Sequence, residues 1–208
     1  SCAVASARLT QTTIHVSPAR AVTTARRTTP LDRFMTLLAT IAGINKDPRT
    51  AKVVFRAGSR LEEDVRCSAQ IRDFPPLVID EPPALGGRDA GVNPVELVLA
   101  ALGTCQEIMY AAYASVMDIP LEGVEISTRG SLDLRGLLGL NADVSAGYQR
   151  VTFDVNIRSS ASGEELRKLI DTVEAHCPVL DILTRSVPVQ GKAKVNGRPL
   201  AAQATEAA

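Results

Sequence analysis

Asn93-Pro94-Val95-Glu96-Leu97-Val98-Leu99-Ala100-Ala101-Leu102-Gly103-Thr104-Cys105 opens a long helix and carries it to a thiol. Asn93 is a good N-cap, Pro94 suits the first helical position, and Glu96 stands three residues after the cap, the spacing of a capping box. Apolar Leu97, Val98, Ala101, Leu102, Cys105, Ile108, Met109 and Ala112 follow the helical period and form the expected buried stripe. Gln106 and Glu107 are expected to face away from that stripe. The helix should end before Pro120, near Asp118.

A second helix begins at another capping box, Ser162-Gly163-Glu164-Glu165. Its stripe is Leu166, Leu169, Ile170, Val173 and then Cys177, after which Pro178 stops or bends it. Ile182-Leu183 adds a turn. Each long helix therefore carries one cysteine on its apolar face.

The rest of the chain reads mostly as strands. Thr29-Pro30-Leu31-Asp32 starts a short helix with Phe34, Leu37, Leu38 and Ile41 on one face, broken by Asn45 to Arg49. Ala51 to Ala57 reads as a strand, Gly58-Ser59 as a turn, and Asp64 to Ile71 as a hairpin partner. Leu77 to Asp80, Val124 to Leu134 and Arg150 to Ile157 are further strands, with a glycine-punctuated excursion from Gly136 to Gly147. Val187-Pro188-Val189 with Lys192 to Val195 is expected to supply the last one. Grouped strands separated by two long helices give an α+β fold rather than alternating α/β.

The chain has 208 residues, of which 45% are hydrophobic and 3% aromatic, so its core must be built from Leu, Val, Ile and Ala. The 23 basic and 23 acidic residues cancel, which removes the electrostatic basis of nucleic-acid binding. Cys2, Cys67, Cys105 and Cys177 are too sparse for a secreted disulfide framework, and no C-x-x-C pair or close histidine suggests zinc. No unbroken apolar run approaches a membrane span. The expected setting is a reducing compartment, the cytoplasm. Residues 1–29, acid-free and bearing Arg8, Arg20, Arg26 and Arg27, read as a plain flexible extension or an organellar leader. Residues 30–50 form a short helix and linker, 51–199 the main domain, and 200–208 a tail.

The loop Gly86-Gly87-Arg88-Asp89-Ala90-Gly91, the helix start Asn93-Pro94-Val95-Glu96-Leu97, the segment Ala101 to Cys105, and Cys177-Pro178-Val179 resemble the OsmC/Ohr family of osmotically induced and organic hydroperoxide resistance proteins. Leu132 to Gly136 is similar to an OsmC-type element, and the likeness covers about residues 50–197. The resemblance implies antiparallel sheets wrapped around two long central helices in an intertwined homodimer. It also implies a cysteine peroxidase that reduces alkyl or fatty-acid hydroperoxides. Carried over by position, Cys105 matches the peroxidatic cysteine and Cys177 the resolving one. The reductant would be an external dithiol of lipoyl-protein or thioredoxin type, with no resident cofactor and no metal. An alternative is a non-catalytic OsmC-like stress protein that holds a small lipophilic molecule between its helices.

Periodicity alone reads both cysteines as small core hydrophobes; only the resemblance makes them a redox pair. Apolar burial would raise the Cys105 pKa, so peroxidase chemistry requires a nearby cation. Arg60 most resembles the family's hairpin arginine, and Arg88 is also well placed. The family's catalytic glutamate directly follows the Asn-Pro pair, where this chain has Val95. Glu96 lies about 180° around the helix from Cys105 and about 13 Å along it, which suits a helix cap better than catalysis. His176 is expected at a helix end, Cys67 in a strand, and Met109 in a pocket wall. No phosphate-loop signature accompanies Gly86-Gly87.

Overall fold

The computed structural model describes residues 30–199; the proposed leader or extension and the tail lie outside the described residues. The capping box at Asn93 forms as expected: its side chain accepts from the Val95 and Glu96 N–H groups, while Glu96 reaches back to the Asn93 N–H at 2.9 Å. From it runs α2 (Pro94–Val116), preceded by α1 (Pro30–Lys46), β1 (Gly58–Glu63), β2 (Arg66–Gln70) and β3 (Leu77–Ile79). After α2 come β4 (Gly123–Leu132), a single turn α3 (Leu134–Leu137), β5 (Tyr148–Arg158), α4 (Gly163–His176) and α5 (Pro178–Thr184). A hairpin of β6 (Lys194–Val195) and β7 (Arg198–Pro199) completes the described elements.

The strands form three antiparallel sheets, β1-β2-β3, β4-β5 and β6-β7. Helices and antiparallel sheets in this order are the α+β arrangement read from the sequence. β4 and β5 pair along their full length, from Gly123 against Arg158 to Leu132 against Tyr148.

α2 is the axis of the fold, touching α1, β4, α4 and α5. Three hydrogen bonds tie it to the long hairpin. The Tyr148 hydroxyl donates to Val95 O at 2.8 Å, the Thr128 hydroxyl to Leu99 O at 3.3 Å, and the Ile126 N–H to the Glu107 carboxylate at 3.3 Å. Gly103 faces this hairpin: a Cβ there would lie 3.6 Å from Thr128 Cγ2. On its other side α2 meets α4, and the core cluster is Tyr110, Ala114, Ile119, Leu169 and Val173.

Several expectations are corrected. The buried face of α2 is Leu102, Gly103, Gln106, Tyr110 and Ala114, rotated from the expected stripe, and Ile108 is 67% exposed. The helix is apolar on both faces, so its period could not say which face the hairpin covers. α2 is also long and apolar enough, by length and composition, to cross a membrane; counting unbroken runs missed this because Glu96, Gln106 and Glu107 interrupt it. Here it packs against α1, β4, α4 and α5 and leaves residues such as Ala101, Thr104 and Ile108 exposed.

Ala51 to Ala57 is not a strand. Pro48–Ala51 is a 3-10 turn, and Val53, Val54 and Phe55 stand exposed with no strand among the described residues beside them. Gly58-Ser59 begins β1 rather than turning the chain; the turn is at Asp64-Val65, with Asp64 in the left-handed region at φ 51°. Near the end, Val187-Pro188-Val189 and Lys192 lie outside any strand, and Asn196-Gly197, both at positive φ, turns the short β6–β7 hairpin instead. Asn-Gly favours that turn because both central residues need φ above zero.

The loop between β3 and α2 is organised by a buried carboxylate. Asp80, 3% exposed, accepts the backbone N–H groups of Glu81, Arg88 and Ala90 at 2.9, 3.1 and 3.0 Å. The Ala90 N–H, against the opposing effect of burial and with the other two amides, holds its carboxyl below the usual range. A depressed folded pKa contributes stability above the unfolded value that is lost as pH falls through the folded one. The melting temperature is therefore expected to fall below about pH 4, and Asp80→Asn should flatten part of that decline. Thermal melts from neutral to acid pH check this; parallel curves for the two proteins would exclude it.

Candidate active site: a cysteine pair between helices

Cys105 lies midway along α2, and Cys177 is the joint between α4 and α5. Pro178, unable to donate an N–H, ends α4 and begins α5, so Cys177 is extended (φ −72°, ψ 112°) with its thiol still on the buried α4 stripe. Leu169, Val173 and Cys177 succeed one another at four-residue steps, at 0, 0 and 1% exposure. The fold brings Cys177 against Cys105: its thiol and the Val179 backbone N–H are the groups that act directly on the Cys105 sulfur. Both cysteines are free thiols, Cys105 half-buried and Cys177 buried. A molecule arriving from solvent thus meets Cys105 first.

Burial is the main influence on Cys105 and pushes its pKa up. The Val179 N–H opposes it, and the adjoining Cys177 thiol pushes further up. Val179 is the second residue of α5, and because Pro178 has no N–H, its amide is the first donor of that helix. None of these groups is a cation.

The model of the OsmC-like protein family matches residues 86–192, just over half of the chain and including both cysteines. The chain belongs to the OsmC-like family. No curated protein matches it. Among solved structures it is similar to an OsmC-like protein from Mycoplasma pneumoniae (21% identity, TM-score 0.55, 64% of this chain and 88% of that one). It is also similar to an OsmC-like protein from Vibrio cholerae (13%, 0.53, 62% and 93%) and to an organic hydroperoxide resistance protein from Legionella pneumophila (21%, 0.50, 64% and 92%). At these identities the likeness is one of fold.

Within this OsmC-like frame, the other candidates pair with neighbouring groups or pack in the fold. The Arg60 guanidinium is held by Glu62 at 3.0 Å and is largely exposed. Arg88 donates to Asp64 at 2.9 Å, tying the loop before α2 to the β1–β2 turn. Glu96 is the capping-box acid, as its helical position suggested. His176 is an exposed helix-end residue, its Nδ1 2.8 Å from Thr172 O and its ring 5.5 Å from that of Tyr113. Cys67 sits half-buried in β2, its thiol 3.8 Å from Val65 O, and Met109 packs against the core. Among the described residues, no group of His, Cys, Asp and Glu comes together to hold a metal ion.

The sequence reading missed Gln106. Directly after Cys105, it is 0% exposed. Its only signal was a spacing of three from Gly103 and four from Tyr110, which puts it on the face the hairpin and α4 cover.

Proposed function

We propose that this OsmC-like protein is a thiol-dependent peroxidase that reduces alkyl or fatty-acid hydroperoxides to alcohols. The observation that carries the reading is the meeting of two free thiols, the outer half-exposed and the inner shielded from solvent. Cys105, as thiolate, attacks the distal peroxide oxygen. The O–O bond breaks, the alkoxide takes a proton and leaves as the alcohol, and Cys105 becomes a sulfenic acid. Cys177 then displaces the hydroxyl as water and a Cys105–Cys177 disulfide forms, to be reduced by an external dithiol of lipoyl-protein or thioredoxin type. Exposed Ile108, about one turn along α2 from Cys105, favours a hydrocarbon tail at about 0.8 kcal/mol per buried CH₂.

This chemistry needs a cation beside Cys105, and the homodimer implied by the family is where we place its source. Val53, Val54, Phe55 and Ile108 are each exposed apolar residues that a second copy could cover. A reducing cytoplasm is the setting in which both thiols would be regenerated.

The experiment is to treat the fully reduced protein, without added reductant, with cumene hydroperoxide. One equivalent should be consumed per chain, and mass spectrometry should find the Cys105–Cys177 disulfide. Thiols that survive excess hydroperoxide would reject the reading.

A second reading, a non-catalytic protein holding a lipophilic molecule between its helices, is favoured by the burial that raises Cys105. The pH dependence of Cys105 alkylation separates the two. A thiol titrating at about 7 or below supports the peroxidase, and one well above about 8.5 supports the binding protein.

A further inference from the structure

The inward face of α2 carries polar groups that the cysteine chemistry leaves unused. Gln106 and Tyr110 stand one helical turn apart, and both are 0% exposed. No protein group among the described residues pairs with Gln106 Oε1, Gln106 Nε2 or the Tyr110 hydroxyl. A buried polar atom without a partner costs more than an ordinary hydrogen bond contributes, and native interiors commonly satisfy such atoms with internal water.

The chemistry of the pair narrows what it can bind. An amide offers a donor and an acceptor, and a phenol offers both. Burial and the Glu174 carboxylate push the Tyr110 hydroxyl up to about 12, so it stays protonated at neutral pH. Both side chains are uncharged and closed to solvent, which suits a small uncharged molecule that both donates and accepts.

Its location gives that molecule a use. Tyr110 belongs to the core cluster with Leu169 and Val173, and Cys177 is the next step of the same α4 stripe. Gln106 directly follows Cys105. Tyr110 thus lies in the seam between α2 and α4 whose α4 stripe leads on to Cys177, and Gln106 stands one turn from Tyr110 toward Cys105 on α2.

We propose that Gln106 and Tyr110 bind one buried water molecule in this seam, and that the water carries the proton in the resolution step. The second half of this proposal rests on the peroxidase reading. In that step the Cys177 S–H and Cys105 S–O bonds break, and the S–S bond and a new O–H bond form. The Cys177 sulfur is oxidised, the sulfenic sulfur is reduced, and the thiol proton passes through the bound water to the departing hydroxyl, which leaves as water. Gln106 and Tyr110 act as positioning residues.

Three measurements test this on the full-length reduced protein. A high-resolution crystal structure should show an ordered water within hydrogen-bond distance of the Tyr110 hydroxyl and the Gln106 amide. Tyr110→Phe and Gln106→Leu should each lower the melting temperature, because each removes a hydrogen bond to that water. Rapid mixing with cumene hydroperoxide should show disulfide formation slowed about tenfold more than sulfenic acid formation in either variant. An empty seam together with raised melting temperatures would overturn the water site, since truly unpartnered groups are better replaced by apolar ones. Equal slowing of both steps would overturn the relay. A wild-type protein that forms no sulfenic acid would overturn the relay and the peroxidase reading together, whereas density and melting decide the water site independently.

Discussion

Cys105→Ser is expected to end hydroperoxide consumption, with a loss on the order of 10³-fold or more, as when a nucleophile is removed from its site. A serine hydroxyl does not ionise in this setting, and Cys177, 1% exposed, has no open approach by which to take over the attack. Cys177→Ser should behave differently. The first oxidation still proceeds, but the sulfenic acid at Cys105 persists and is captured by a dimedone-type probe instead of closing to a disulfide. A coupled peroxide assay with the dithiol checks the first variant, and mass spectrometry of the trapped adduct checks the second. Undiminished turnover in Cys105→Ser would end the assignment. The contrast follows from position in the fold, because the outer thiol reaches the substrate and the inner one reaches only its neighbour.

Leu169→Ala is expected to cost about 2–5 kcal/mol of stability, the range for truncating a fully enclosed leucine. Leu169 is 0% exposed and packs with Tyr110, Ala114, Ile119 and Val173 in the core. Where the neighbours cannot collapse into the space left behind, the cavity adds to the lost burial. The α4 stripe also sets where Cys177 sits, so the variant should slow disulfide closure as well. Urea unfolding measures the first effect and rapid mixing the second. A loss below about 1 kcal/mol would mean that the stability of the fold resides elsewhere.

The helix caps were legible because they are local. Asn93 with Glu96 and Ser162 with Glu165 need only neighbours three residues away, and both boxes form. The α4 stripe was legible too, since that helix is polar on all but one face and leaves no choice of which side to bury. α2 offered a choice. Leu97, Ala101 and Ile108 are as apolar as the residues that are buried, and Gln106 is more polar than any of them. The approach of β4 at Gly103 and of α4 at Tyr110 settled the matter, and neither is written in the period of the helix.

Val53-Val54-Phe55 shows the same limit in a strand. Its composition favours extended chain, but a strand needs a hydrogen-bonded partner, and none of the described residues supplies one. Asn196-Gly197 carries its own turn signal, since both residues adopt positive φ there.

By itself the sequence determined where α2 and α4 begin and that the fold is α+β, because caps and periods depend on contacts within a few residues; α1, expected to be short, has 17 residues against 14 in α4, and Cys177 lies just past the end of α4. Tertiary structure alone decided that Cys177 meets Cys105, which of the two faces solvent, and that Gln106 and Tyr110 are enclosed beside them. Those outcomes depend on which faces of α2 and α4 meet across the core, and many side chains choose that together.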